Sequence, residues 1–171
     1  MDFIRQLAPI GLIFAFLCYY RRREEVGGWL MFFYYQIFAT LVLLLLQVFW
    51  RFREYLPSWW ESEWDHIVFL SAFLPRLFAF LLVGTVAIVL LYRREWFWVR
   101  NLKVALGAGM VLVAISLLVD LVYFPSAILT NCLRLVMLAL WLLYFSASKR
   151  VYHVCRTHDW DKFSGQIITD S

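Results

Sequence analysis

Charged residues are scarce in this sequence, and several long segments contain almost none. Charged residues make up 16% of the 171 residues, whereas 64% are hydrophobic and 20% are aromatic. A typical soluble domain is about 25% charged and about 45–50% apolar. A chain this small cannot hide the excess apolar residues in one core, because too much of its area stays outside. The sequence therefore predicts an integral membrane protein whose outer surface faces lipid.

The residue patterns of metal and haem sites are also lacking. The three cysteines have no regular spacing, which argues against a disulfide framework. All three histidines lie at or beyond the ends of apolar runs, so a haem held by two histidines inside a helical bundle is not expected. His153, Cys155 and His158 are ligand types for zinc, but their spacing matches no established site. We expect no metal and no cofactor.

Motifs of hydrolytic and phosphoryl-transfer enzymes are missing as well. The sequence contains no HExxH, no GxSxG and no P-loop. The apolar runs hold a single carboxylate, Asp120, so a paired-acid mechanism lacks its second member. The net charge of +4 falls in short clusters between apolar runs, which is typical of topology signals and does not indicate nucleic-acid binding. These observations predict a protein that is not an enzyme.

What the sequence does contain is four apolar runs long enough to cross a membrane. A spanning helix needs about 20 consecutive apolar residues. Residues 27–50, 66–92, 104–124 and 126–147 meet this length. The second run is long enough to need a tilt or a kink, and Pro75 supplies a kink site. The continuous apolar residues in these runs exclude the alternation of a membrane β-barrel. The predicted fold is therefore an all-α four-helix transmembrane bundle.

Basic clusters between the runs predict the orientation of the bundle. Three of them fall on one side: Arg21 to Arg23, then Arg93, Arg94, Arg100 and Lys103, then Lys149, Arg150 and Arg156. The connector on the other side carries Arg51 and Arg53 against four acids, and the turn near Pro125 is almost uncharged. The positive-inside rule makes the basic side cytoplasmic. We expect a bacterial inner-membrane location with the C-terminus in the cytoplasm.

The N-terminal segment leaves two interpretations open. Its apolar core, residues 7–20, is about 14 residues long, which is short for a span. It is either a thin fifth span or a helix lying in the membrane interface, and an extension to Asp2 with a snorkelling Arg5 favours the span. We divide the chain into this segment with its basic connector (1–25), the four-helix domain (26–151) and a polar cytoplasmic tail (152–171).

Aromatic residues gather at the ends of the runs. Tryptophan and tyrosine favour the membrane–water interface, where an apolar ring and a polar N–H or O–H are both satisfied. We interpret six tryptophans as interfacial anchors, with a short interfacial helix starting near Pro57, and docking of a partner as the alternative. These tryptophans are Trp50, Trp59, Trp60, Trp64, Trp96 and Trp98.

Two short motifs resemble those of a known family. Gly27-Gly28-Trp29-Leu30 opens the first run, and Tyr144, Phe145, Ser148, Arg150 and Val151 belong to a pattern that closes the last. Together they resemble a family of small four-span bacterial inner-membrane proteins of unknown function, with a GGWL-like start and a YFxxSxRV-like end. The resemblance covers residues 26–155. Tyr152-His153 stands where that family tends to have Thr-Phe. The resemblance implies the four-span fold and no established activity.

Three ionisable residues interrupt the spans: Arg76, Asp120 and Arg134. Each charge at bilayer depth costs at least about 2.5–3.5 kcal/mol, so such groups usually face protein, water or one another. Counting from the helix ends places all three in the outer half of the bilayer. One hypothesis is a cluster with one excess positive charge, suited to an anionic headgroup, a substrate carboxylate or an acid of a partner helix. The alternative is a structural pair of Asp120 with one arginine while the other snorkels.

These patterns favour a non-catalytic membrane subunit that packs in a larger membrane complex. The expected partners are membrane lipids and either partner membrane proteins or further copies of the chain. The alternatives are a small transporter or channel component, or a lipid- or anion-binding sensor that uses the charge cluster. Four spans make a narrow transport pathway unless the chain oligomerises, and no run is broken in its middle by paired Gly or Pro.

Overall fold

Four long helices dominate the computed structural model, which describes residues 16–18, 20–21, 28–50 and 52–157. They are α1 (Trp29–Trp50), α2 (Glu63–Arg93), α3 (Trp96–Tyr123) and α4 (Ile128–Ala147). Each is long and apolar enough to cross a membrane, α4 together with the 3₁₀ turn Pro125–Ala127 that precedes it. The described residues contain no strand. The predicted all-α fold with four membrane-spanning helices is confirmed, and the chain is a multi-pass membrane protein.

Local signals explain where α2 begins and ends. The Ser62 hydroxyl accepts a hydrogen bond from the backbone N–H of Trp64 at 3.2 Å, and Glu63 and Asp65 lie in the first turn, where the helix dipole favours negative charge. At the other end Arg94 adopts a left-handed conformation (φ 51°), and its N–H donates to the carbonyl of Leu90. Because Arg94 and Glu95 alone separate α2 from α3, the two helices run antiparallel.

The helices reach beyond the predicted apolar runs. α3 begins at Trp96, well before residue 104, and α2 has 31 residues, about 46 Å at 1.5 Å per residue. That length exceeds the hydrocarbon layer of about 30 Å, so α2 tilts or extends into the interface. α2 continues through Pro75, which lacks the N–H that would bond to the carbonyl of Ser71.

The chain forms two compact units: Met1–Gln36 with Lys149–Ser171, and Ile37–Ser148. In the first, the described residues include the start of α1, the short helix α5 (Lys149–Tyr152) and a π-helical turn at His153–Thr157. Leu30, Phe33, Tyr34, Val151, Val154 and Cys155 are buried there. Most of the N-terminal segment lies outside the described residues, so its interpretation as a span or an interfacial helix stays a prediction.

Small residues let the helices of the Ile37–Ser148 unit approach closely. Among them, Ala79 and Val83 of α2 face Gly109 of α3, where an added Cβ would lie 3.4 Å from the nearest methyl carbon of Val83. At Gly84 an added Cβ would collide with the Leu41 side chain of α1. Around Gly107 the space is open. The lack of a side chain therefore matters for packing at Gly84 and Gly109 and not at Gly107.

Candidate functional site

The three intramembrane charges lie on the helices of the Ile37–Ser148 unit, and helix direction brings them together. Side chains of a helix lean toward its N-terminus. Arg76 and Arg134 therefore reach toward the α3–α4 turn, near which α4 begins and α3 ends. Asp120, about one turn before the end of α3, leans away from that turn and meets them. The charged groups of the three side chains therefore lie at one depth, although their Cα atoms lie at different depths.

Asp120 is at the centre of the site. It is fully buried (0% exposed), and its Oδ2 lies 3.7 Å from Nη1 of Arg76, whose side chain is 14% exposed. The same oxygen accepts a hydrogen bond from Nδ2 of Asn131, which is also fully buried. The distance to Arg76 is that of an ion pair and is longer than a direct charge-assisted hydrogen bond of about 2.8 Å. Oδ1 of Asp120 accepts no hydrogen bond from the described residues.

Asn131 connects Asp120 to the second arginine. Nη1 of Arg134 donates to Oδ1 of Asn131 at 2.8 Å, one turn away on the same helix. The amide thus gives a hydrogen bond to the carboxylate and accepts one from the guanidinium, which fixes the orientation of its oxygen and nitrogen. Arg134 is half-buried. The structure therefore brings all three predicted charges together, with Arg76 paired directly to Asp120 and Arg134 linked through Asn131.

A backbone carbonyl on α2 supports the other side of the site. The carbonyl oxygen of Ala72 accepts hydrogen bonds from Nε of Arg76 at 2.8 Å and from Oγ of Ser116 at 2.5 Å. Ser116 is fully buried and lies one turn before Asp120 on α3. A hydroxyl in this position ties α3 to α2 beside the ion pair. The Arg76 guanidinium carbon also lies 5.8 Å from the centroid of the Phe73 ring, within the range of a cation–π contact.

Aromatic rings of α2 and of the preceding connector lie beside Arg76. Phe69 and Phe73 stack at 6.2 Å, and Tyr55 packs edge-on against both at 5.3 Å. Trp60 adds a ring against Phe69, and its Nε1 donates to the carbonyl of Glu54 at 2.7 Å. Nε2 of His66 donates to the carbonyl of Tyr55 at 3.1 Å. The rings form an aromatic layer next to the partly buried Arg76, and Phe73 is the ring in contact with its guanidinium.

The connector differs in detail from the prediction. It forms two 3₁₀ turns, Phe52–Tyr55 and Pro57–Trp59, so the short helix expected near Pro57 is a single turn. Trp50, Trp59 and Trp64 are exposed, as an interfacial anchor requires. Trp60 instead packs into the aromatic layer, whereas Trp96 lies 5.4 Å from the Lys103 ammonium and Trp98 packs edge-on against Phe97.

The residues of the two family-like motifs do not join the charge network. Gly27 lies outside the described residues, Gly28 has a positive φ of 60° and donates its N–H to the carbonyl of Cys18, and Trp29 starts α1 beside Leu30. At the other end, the Ser148 N–H donates to the carbonyl of Tyr144, and Phe145 and Val151 are buried. Arg150 lies in α5. These positions serve helix entry and helix exit.

Other predicted features have no part in the network. Within the described residues no three His, Cys, Asp or Glu side chains are grouped to hold a metal, and His158 lies outside that part. Cys18, Cys132 and Cys155 are free thiols.

Asn131 and Ser116 complete the network, and the search for ionisable residues in the spans did not identify their roles. The signal was present in the spacing. Ala72 and Arg76, Ser116 and Asp120, and Asn131 and Arg134 are each three or four residues apart, which places each pair on one helix face. The Ala72 acceptor is a backbone carbonyl, a group that every residue carries, so its role could not be predicted from the sequence.

Comparison with known protein families, characterised proteins and solved structures finds no match. The resemblance suggested by the GGWL-like and YFxxSxRV-like motifs therefore stays a prediction.

Proposed function

We propose that this chain is a non-catalytic membrane subunit that binds a partner membrane protein within the bilayer. The observation that carries the proposal is the imbalance of the charge network, in which the described residues place two arginines, Arg76 and Arg134, with a single carboxylate, Asp120. An uncompensated charge at this depth costs at least about 2.5–3.5 kcal/mol. A partner that supplies the missing negative charge relieves this cost, so binding gains affinity from a feature that destabilises the isolated chain.

The enclosure of Asp120 supports a non-catalytic role. Its carboxylate is fully buried against Arg76 and Asn131, so a substrate has no open approach to it. A proton relay needs a chain of titratable groups at depth. Within the described spans the other acids and the histidine, Glu63, Asp65 and His66, lie at the start of α2 and not beside Asp120. The network is arranged to hold helices together and to present charge.

The outer face of α4 supplies a surface for packing. Large apolar side chains recur there at alternating intervals of four and three residues, the spacing by which one helix presents a continuous seam to another. They are Leu129, Leu133, Val136, Leu140 and Leu143, and all are exposed. Such a seam packs against lipid or against protein equally well, and the adjacent charge favours protein.

The location and orientation are part of the proposal. The basic residues that follow α2 and α4 favour a cytoplasmic position for those ends, and the charge network then lies in the opposite half of the membrane. A bacterial inner membrane with the C-terminus in the cytoplasm fits this distribution.

Mild-detergent extraction followed by native mass measurement tests the proposal. We expect the chain to leave the membrane in a complex of fixed stoichiometry with a larger protein. Recovery of the chain alone, or only as a homo-oligomer, would contradict it. A homo-oligomer that also conducts a solute in vesicles would favour the rival function, a small transporter or anion-binding sensor that uses the same arginines.

A further inference from the structure

We infer that Arg134 binds a carboxylate on a transmembrane helix of a different protein, which packs along the outer face of α4. This inference rests on the proposed function and names the chemistry of the partner. It follows from the hydrogen bonds of Arg134, its depth and the distribution of acids in this chain.

Arg134 keeps most of its hydrogen-bonding capacity. A guanidinium has five N–H donors. In the described part of the chain Arg134 donates one hydrogen bond, to Asn131, and the carboxylate of Asp120 is already shared by Asn131 and Arg76. Arg134 is half-buried, and its neighbours Thr130 and Leu133 on α4 are exposed. A ligand that approaches this face therefore finds a charged donor with the planar geometry that suits a carboxylate.

Depth favours a protein carboxylate over a lipid phosphate. α4 has 20 residues, about 30 Å, which matches the hydrocarbon layer, and Lys149 and Arg150 follow its far end. Because the span also includes the turn Pro125–Ala127, the opposite boundary of the hydrocarbon lies at or before Ile128. Arg134 lies at least about six residues, or about 9 Å, inside that boundary, and its side chain returns only as far as Asn131. Phosphate groups lie outside the hydrocarbon. An acidic residue on a neighbouring helix can instead be placed at the same depth as Arg134.

The four spans of a second copy of this chain offer no acid for Arg134. Asp120 is the one carboxylate inside the apolar part of the four spans, and it is enclosed in its own network. Glu63 and Asp65 lie in the first turn of α2, more than ten residues before Arg76, at the interface. The partner is therefore a different protein that carries an Asp or Glu about two turns inside the membrane.

A synthetic transmembrane peptide tests this chemistry without knowledge of the natural partner. The probe is a leucine–alanine helix with lysine ends and one Asp about six residues from one end. Matched peptides carry Asn or Leu at that position. Each peptide is titrated into phosphatidylcholine vesicles that contain the whole protein with a donor dye at its C-terminus, and energy transfer to a dye on the peptide reports association.

We expect the Asp peptide to associate about tenfold more tightly than the Asn and Leu peptides, as one polar contact in a membrane of about 1–2 kcal/mol requires. Arg134→Gln should abolish the preference. Arg100→Gln, which removes an exposed cation at the other end of the unit, should preserve it. The comparison of three peptides with the unaltered protein stands even if Arg134→Gln fails to fold.

Equal binding of the three peptides, or a preference that survives Arg134→Gln in a folded variant, would overturn the inference. Replacing half of the lipid by phosphatidylglycerol should leave the preference intact, and its loss there would identify a lipid phosphate as the occupant instead. If native extraction yields a complex but the peptides bind equally, this inference fails while the proposed function stands. If extraction yields the chain alone but the Asp peptide is preferred, the proposed function fails while the carboxylate preference of Arg134 stands.

Discussion

At the residue scale, a small number of polar groups satisfy one another's charges and hydrogen bonds where no water is available. One oxygen of Asp120 serves Arg76 on α2 and Asn131 on α4, so a single carboxylate joins three helices. Removing a partner from a buried charge pair leaves the other charge uncompensated and is more costly than the pair itself is stabilising. Variants of single residues should therefore be more harmful than paired variants.

Replacing Asp120 tests that asymmetry. We expect Asp120→Leu to lower the free energy of unfolding in detergent by about 3 kcal/mol, because two guanidinium groups then lack a counter-charge. The double variant Arg76→Leu/Asp120→Leu should lose about 1–3 kcal/mol less than the sum of the two single variants. Additive losses, measured by denaturation of all four proteins in the same micelles, would mean that the pair does not couple the helices.

Ser116 and Ser146 are two serines whose hydroxyl groups allow a controlled comparison. Ser116 donates across helices to Ala72, whereas the exposed Ser146 donates within its own helix to Leu142. Ser116→Ala should lower the melting temperature, with a loss of about 0.6–1.5 kcal/mol, and Ser146→Ala should have almost no effect. Thermal unfolding monitored by circular dichroism compares them, and an equal effect of the two variants would contradict the assigned role.

At the element scale, periodicity and length determined what could be predicted. The four spans followed from apolar runs, because each helix must satisfy its own backbone in lipid. The early start of α3 at Trp96 was not foreseen, since residues 96–103 mix aromatic and basic side chains that are compatible with a helix leaving the membrane. The depth of Arg76, Asp120 and Arg134 was predicted, but the order of contacts through Asn131 depends on helix rotation, which apolar runs leave unspecified.

Valine substitutions at Gly84 and Gly107 test the role of glycine in helix packing. Gly84→Val should reduce stability more than Gly107→Val does, because the added carbons meet the end of the Leu41 side chain of α1, which must change its conformation. Gly107→Val adds the same carbons where the space is open and should be tolerated. Melting temperatures in one detergent measure both. Equal melting temperatures of the two variants would contradict a packing role for Gly84 against Leu41.

At the scale of the whole molecule, alternate connectors must lie on opposite sides of the membrane. Only then do α2, α3 and α4 cross the bilayer in turn and place the charge network inside it. Ser58 in the aromatic connector and Glu95 between α2 and α3 are both exposed and suit chemical labelling. Replacing the free thiols Cys18, Cys132 and Cys155 by serine gives a background without other reactive groups.

Cysteine labelling in intact cells is the most direct measurement. With Ser58→Cys or Glu95→Cys as the one thiol, a membrane-impermeant maleimide should label position 58 from outside and position 95 only after the membrane is permeabilised. Labelling of both positions from the same side would contradict the account, because α2 would then not cross the bilayer and Arg76 would not lie within it.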